Sequence, residues 1–225
     1  MEKEITAIEA QKRNHNRLNI SLDGEYAFSL DRLTAAWLNP GKKLSEAEIE
    51  RLLAQDELES VYARVLHFLG FRARSAQELE KFLQQKGCDN RVTLAVITRL
   101  EQNGYLDDVR FSQDWVENRC TFRPRSQSLL KAELHQKGVS DPIIQATLEK
   151  AALDDAQLAY QAGCKVADRY ARQPWEGFRN KLSNYLLRRG FSYQIAKEIT
   201  HQLWIEVQNR EHNNATTTNM EHLTQ

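Results

Sequence analysis

Glycine and proline are scarce, with nine and four in 225 residues, about half of ordinary usage. That shortage excludes collagenous and linker-like chains and argues against a turn-rich all-β fold. Cysteine is scarcer still: Cys88, Cys120 and Cys164 form no close pair, so neither a disulfide framework nor a CxxC metal site is available. The count fits a reducing cytoplasm. No stretch approaches eighteen consecutive apolar residues, and the first residues carry no apolar leader, so the expectation is a soluble cytoplasmic protein with no membrane partner. An excess of charge is missing too. Lysine plus arginine number 31 and aspartate plus glutamate 31, giving zero net charge and excluding a polybasic protein that finds nucleic acid by bulk electrostatics. The distribution is only mildly uneven, running from slightly acidic over residues 1–121 to slightly basic over 122–225.

Catalytic signatures are also lacking. The six histidines never take a ligand spacing such as HxxxH, and no GxSxG, GxxxxGK[ST] or GxGxxG is present. The paired carboxylates Asp107-Asp108 and Asp154-Asp155 point about 100° apart on a helix and each stands just before a predicted helix, which suits capping rather than acid–base chemistry. No catalytic residue, metal or cofactor is therefore expected, and the chain reads as a non-enzyme.

What the sequence does contain is two kinds of period. Leu18, Ile20 and Leu22, then Tyr26, Phe28 and Leu30, alternate on either side of Asp23-Gly24, a β-hairpin signal because a type I′ turn needs φ > 0 at both central residues. An earlier strand from about Ile5 to Ala10 pairs across Asn14-His15-Asn16, predicting a small N-terminal three-stranded antiparallel β-sheet. After Asn39-Pro40-Gly41 the period becomes helical. Ser45 and Glu48 have the spacing of a capping box, predicting one helix to about Leu53 and another from about Asp56.

From there the chain repeats. Leu79, Leu83 and Gly87 return as Leu130, Leu134 and Gly138, and again as Leu182, Leu186 and Gly190. Each glycine follows a cation, Lys86, Lys137 or Arg189, as at a helix C-terminus. Second helices start at Asp89, at Ser140-Asp141-Pro142 and at Ser192. The expected fold class is mainly α: tandem three-helix repeats forming an elongated curved array. The units run over 1–55, with the sheet, then 56–107, 108–155 and 156–209, before a disordered tail over 210–225. The aromatic residues Phe82, Phe111, Trp115, Phe122, Trp175, Phe178 and Trp204 sit mostly at helical spacing, as core residues do.

Arginine supplies the candidate site. Arg72 and Arg74 precede Ser75, and Arg123 and Arg125 precede Ser126, each serine standing twelve residues before its glycine. Guanidiniums at alternate positions can grip phosphates or carboxylates. Equally, the serines can be N-caps and the arginines partners of Glu78 and Glu133. Together with the turn cations Lys86, Lys137, Arg188 and Arg189, these arginines are the candidate contacts.

The run from Arg74-Ser75 through Glu78-Leu79, Leu83 and Lys86-Gly87, the run Gly104-Tyr105-Leu106-Asp107-Asp108 with Arg110-Phe111, and Lys131, Glu133-Leu134 and Lys137-Gly138-Val139 together resemble the blocks of the RecX family of bacterial recombination regulators. The resemblance adds Arg119 and Lys131 to the candidate contacts. It implies a protein that binds the RecA recombinase and its filament on DNA, lowers the filament's ATPase and strand-exchange activity, and acts in DNA repair, recombination and the SOS response. A repeat array of this kind is compatible with a monomer that makes weak DNA contact of its own. Two positions depart from the pattern: Phe178 replaces the serine in the third unit, and Ser112 stands where alanine is common. A helical repeat protein that binds DNA without RecA, and an adaptor for an unrelated protein, are the alternative readings.

Overall fold

The computed structural model describes the backbone of residues 2–222 and the side chains of residues 2–210. Four strands come first: β1 (Glu2–Ala10), β2 (Arg17–Leu22), β3 (Glu25–Asp31) and β4 (Lys43–Ser45). Helices follow: α1 (Glu46–Leu69), α2 (Ala76–Gln85), α3 (Asn90–Gln102), α4 (Asp108–Phe122), α5 (Gln127–Gln136), α6 (Asp141–Ala151), α7 (Asp155–Tyr170), α8 (Trp175–Leu187) and α9 (Tyr193–His222). The bounds of α9 extend into the stretch expected to lack regular structure, and the side chains of 211–225 lie outside those described. The chain divides into two compact units: residues 1–74 with 78–106, and residues 75–77 with 107–225.

In the first unit the hairpin forms as its sequence demands, with Asp23 (φ 48°) and Gly24 (φ 91°) both left-handed. The sheet has four strands rather than the expected three, in the order β3-β2-β1-β4. The fourth is only three residues long, too short to show alternation, and it pairs antiparallel with β1 from Glu2–Ser45 to Glu4–Lys43. Ile5, Ile20, Leu22, Leu30, Leu38 and Leu44 bury one face of the sheet with Leu52 of α1. The two helices expected over residues 45–69 are one. The capping box does start it, Glu48 N–H bonding Ser45 Oγ and Ser45 N–H bonding Glu48 Oε2, but Asp56 is not a cap. Its carboxylate is buried, takes the Arg17 guanidinium at 2.9 Å and accepts the Asp31 amide, so it ties α1 to the sheet. Along the same helix, Arg99 of α3 bonds Glu59 at 2.8 Å and lies over Tyr62, whose hydroxyl accepts from Asn103.

The second unit is two three-helix sets, α4-α5-α6 and α7-α8-α9. Phe111, Val116, Leu130, Leu134, Val139, Ile144 and Leu148 fill the first core. Leu158, Ala162, Phe178, Leu182, Leu186, Ile199 and Leu203 fill the second. The aspartate pairs cap twice over. Asp107 and Asp154 accept amides of their own first turns. The second member of each pair reaches another helix: Asp108 Oδ1 accepts Ala76 N–H at 2.9 Å and Asp155 Oδ1 accepts Gln127 N–H at 2.8 Å. Burial raises the Asp108 carboxyl above the usual range, and the neighbouring Asp107 charge adds to this against the amide's opposing pull.

Gly87, Gly138 and Gly190 all have positive φ, at 74°, 79° and 85°, so a side chain at any of them costs about 1–2 kcal/mol in backbone strain. Their surroundings differ. A Cβ on Gly87 would meet open space, one on Gly138 would collide with Gln77, and one on Gly190 with Ser126 and Leu129. Overpacking adds about 1–3 kcal/mol. Urea unfolding of the three Gly→Ala variants is therefore expected to rank G87A mildest, with G138A and G190A each at least about 1 kcal/mol worse; equal losses would contradict the packing role. Because burial raises the pKa of Asp108 above its unfolded value, its contribution to stability is largest below the unfolded pKa and falls as pH rises through the raised folded one. D108N keeps an acceptor for the Ala76 amide and carries no charge, so its stability should equal or exceed that of the unaltered chain at pH 7. The gap should close toward pH 4, read as Tm against pH.

Candidate anion-binding interface at the repeat junctions

Cations cluster at the ends of the middle helices, around α2 in the first unit and at α5 and α8 in the second. An N-cap amide ordinarily faces water. Ser126 N–H, at the start of α5, instead donates to the Arg189 carbonyl at 3.0 Å, one residue before Gly190 at the end of α8, while Ser126 Oγ caps α5 by accepting Leu129 N–H. At the other end of α5 a side-chain bond takes the corresponding place, Ser75 Oγ donating to the Lys137 carbonyl, one residue before Gly138. Both serines are fully buried. Each serine of an Arg-Ser motif thus bonds the carbonyl just before a turn glycine. In the third repeat the pattern ends: α8 begins one turn earlier, with Pro174 as N-cap, and Phe178 is a fully buried core residue. Ser112 is buried as well, its hydroxyl satisfied by the Asp108 carbonyl at 2.7 Å.

This docking gathers charge. Arg189 donates to the Pro124 carbonyl at 3.0 Å and lies 4.5 Å over the Tyr185 ring. Arg123, Arg125, Leu129, Tyr185, Arg188 and Arg189 line one open concavity of about 460 Å³. Arg123 and Arg188 are exposed and Arg125 is partly buried. Beside it, Glu133 is a hub: Trp115 Nε1 (2.8 Å) and Arg119 Nε (2.9 Å) both donate to Oε2, and the Arg125 guanidinium pairs with Oε1. Arg119 also stacks on Trp115, with Lys137 Nζ 5.2 Å from the same ring. Burial, then the charges of Arg119, Arg189 and Arg123, pull Arg125 below the usual guanidinium range. Burial is the larger cause, and the three neighbouring cations act in the same direction, so positive charge is concentrated here.

The first junction is arranged differently. Arg72 forms a two-point pair with Glu78, both contacts at 3.0 Å, which raises its pKa. Arg74 lies 3.4 Å over Phe68, which stacks on Phe82, and burial lowers its pKa. Lys86 lies 5.9 Å from Phe82. So the pairing of junction arginines with Glu78 and Glu133 holds for Arg72, Arg125 and Arg119, whereas Arg123 and Arg188 face the concavity. Lys131 is exposed on α5. Tyr185 and Leu129 were absent from the sequence-based candidates, although Tyr185 stands one helical turn before Arg189 and that spacing signals the stack. Among the core aromatics, Phe122 is the exception and is exposed. Among the described residues no group of His, Cys, Asp and Glu side chains is arranged to hold a metal ion.

Family models match most of the chain: the regulatory protein RecX N-terminal domain over residues 3–45, and the first, second and third RecX three-helix domains over 62–100, 107–148 and 154–200. The chain belongs to the RecX family. The Regulatory protein RecX of Bacillus pumilus is 32% identical over 195 residues, covering 85% of this chain and 74% of that protein. That of Bacillus subtilis is 31% identical over 205 residues, 90% and 78%. A crystal structure of regulatory protein RecX aligns over 88% of this chain and 99% of its own with a TM-score of 0.66 at 25% identity. RecX from Lactobacillus salivarius shares the fold, with a TM-score of 0.55 and 23% identity over 66% of this chain and 97% of its own.

Removing Glu133 from this RecX chain would leave two guanidiniums and an indole N–H without their carboxylate in a largely buried setting. E133A is expected to lose about 3 kcal/mol in urea unfolding and E133Q, which keeps an acceptor for Trp115, clearly less. Equal stability of E133A and the unaltered chain would contradict the hub.

Proposed function

We propose that the chain is a non-enzymatic regulator that binds RecA and its filament on DNA, lowering the ATPase and strand-exchange activities that drive recombination and repair. It acts in the cytoplasm as a monomer. Membership of the RecX family supports the class of regulator. The observation that carries the reading further lies within the second unit, where Ser126 N–H bonds the Arg189 carbonyl and cations gather at the start of α5 and the end of α8, so that neighbouring helix sets offer basic surface beside one another. Several weak contacts, each made at the effective concentration set by the one before, then add to firm but reversible binding.

Regulation of this kind needs no reacting group. A protein that binds one filament state more tightly than another shifts their equilibrium by the difference in affinity, tenfold for each 1.4 kcal/mol or so. The test is the single-stranded-DNA-dependent ATPase of RecA with the purified chain added. Inhibition at equimolar chain, deepening with excess, is the expected result. An unchanged ATPase together with no co-sedimentation with RecA filaments would contradict the reading.

A further inference from the structure

The N-terminal sheet ends on β3, which pairs with β2 on one side and with no strand on the other. An unpaired strand edge is a template for another strand. Which backbone groups of β3 face outward follows from the register. Arg32 N–H donates to the Asn16 carbonyl, so Arg17–Asp31 is a pair without hydrogen bonds of its own across the ladder, and two residues on so is Asn19–Ser29. The N–H and C=O groups of Ser29 and Asp31 therefore point away from β2. The chain fills most of these positions itself. Arg17 Nη2 donates to the Ser29 carbonyl at 2.8 Å and to Asp56 Oδ2 at 2.9 Å. Asp56 Oδ1 accepts the Asp31 N–H, and the Asp31 carbonyl accepts Ala35 N–H at 3.0 Å. Further along, the register slips between Ile20 and Ser21 and leaves Ala27 without a cross-strand partner, as a bulge does.

We infer that the Arg17–Asp56 pair is a guard on this edge: it occupies backbone positions through which β3 of a second copy would add, and so holds the chain monomeric. The strand itself does little to prevent addition. It carries neither lysine nor proline, the residues that most often blunt an edge, and its charges, Glu25 and Asp31, stand at its two ends and leave Tyr26 to Leu30 uncharged. Tyr26 is 64% exposed and Phe28 only partly buried. A second copy is the fitting occupant because it brings the same seven-residue strand, and two such edges close an antiparallel pair about a two-fold axis. Stability alone is a poor reason for the pair, since apolar side chains of similar volume often replace a buried ion pair at no loss; its placement over outward-facing backbone groups supplies another. The inference rests on the monomeric state proposed above and names what maintains it.

The experiment is analytical ultracentrifugation of the full chain over a concentration series. Arg17→Met/Asp56→Leu is the primary variant, because it replaces the pair by apolar side chains of similar length and empties both guarding positions while keeping the fold, which near-ultraviolet circular dichroism and Tm check. Adding Ser29→Pro supplies the control: the N–H that proline lacks is one that faces outward, so the ladder with β2 is spared and strand addition is blocked. The unaltered chain is expected to stay monomeric, R17M/D56L to self-associate at least about tenfold more tightly, and R17M/D56L/S29P to return to the unaltered level. If the double variant does not fold, Arg17→Met with and without S29P gives the same reading, because it frees the Ser29 carbonyl alone. A folded variant that stays monomeric at every concentration would overturn the inference, and so would association that S29P leaves unchanged, since that runs through another surface. The two proposals remain separable: self-association of the unaltered chain that S29P does not alter would end the monomeric reading, whereas the guard is judged by the increment that the variant adds and S29P removes.

Discussion

The arrangement of the second unit depends on a single backbone hydrogen bond and the glycine beside it. Ser126 N–H reaches the Arg189 carbonyl only because Gly190 carries no side chain where Ser126 and Leu129 must pass. That contact joins a helix N-terminus, where amides are unsatisfied, to a helix C-terminus, where carbonyls are. Each end supplies what the other lacks, and their dipoles attract. Asp155, which fills the next amide of α5 at Gln127, completes the seam from a third helix.

The seam also has an electrostatic consequence. Helix C-termini favour cations, so Arg188 and Arg189 belong at the end of α8, and the Arg-x-Arg-Ser approach to α5 puts two more cations at the opposite face of the same contact. Positive charge is therefore concentrated at a junction within a chain of zero net charge. Glu133 offsets part of it and holds Arg119 and Arg125 against Trp115. The exposed remainder is what a partner can use. Neutrality overall and basicity locally are compatible because the start of α5 and the end of α8 meet.

Much of this was legible from residue order. The Leu-x-x-x-Leu-x-x-x-Gly spacing located three helix ends, and the left-handed conformation of Gly87, Gly138 and Gly190 follows from it. Asp107 and Asp154 are the caps that their positions suggested. What could not be read was pairing at long range. Ser75 and Lys137 are 62 residues apart, and no local signal pairs them. The same limit hid the role of Asp56, which reads as a cap locally and is a buried ion pair with Arg17 from a strand far upstream. A three-residue strand such as β4 has no alternation to detect. The non-equivalence of the Arg72 and Arg125 junctions likewise arises from neighbours the sequence does not place.

Hydrogen exchange at one amide tests the seam most directly. Helix N-cap amides exchange rapidly when they face water, whereas an amide bonded across a packed junction exchanges only when that junction opens. The Ser126 amide, resolved by nuclear magnetic resonance, is expected to be protected to a degree approaching the core amides of α8. Exchange as fast as that of an ordinary exposed helix start would show that α5 does not dock on the Arg189 carbonyl, and would contradict the account.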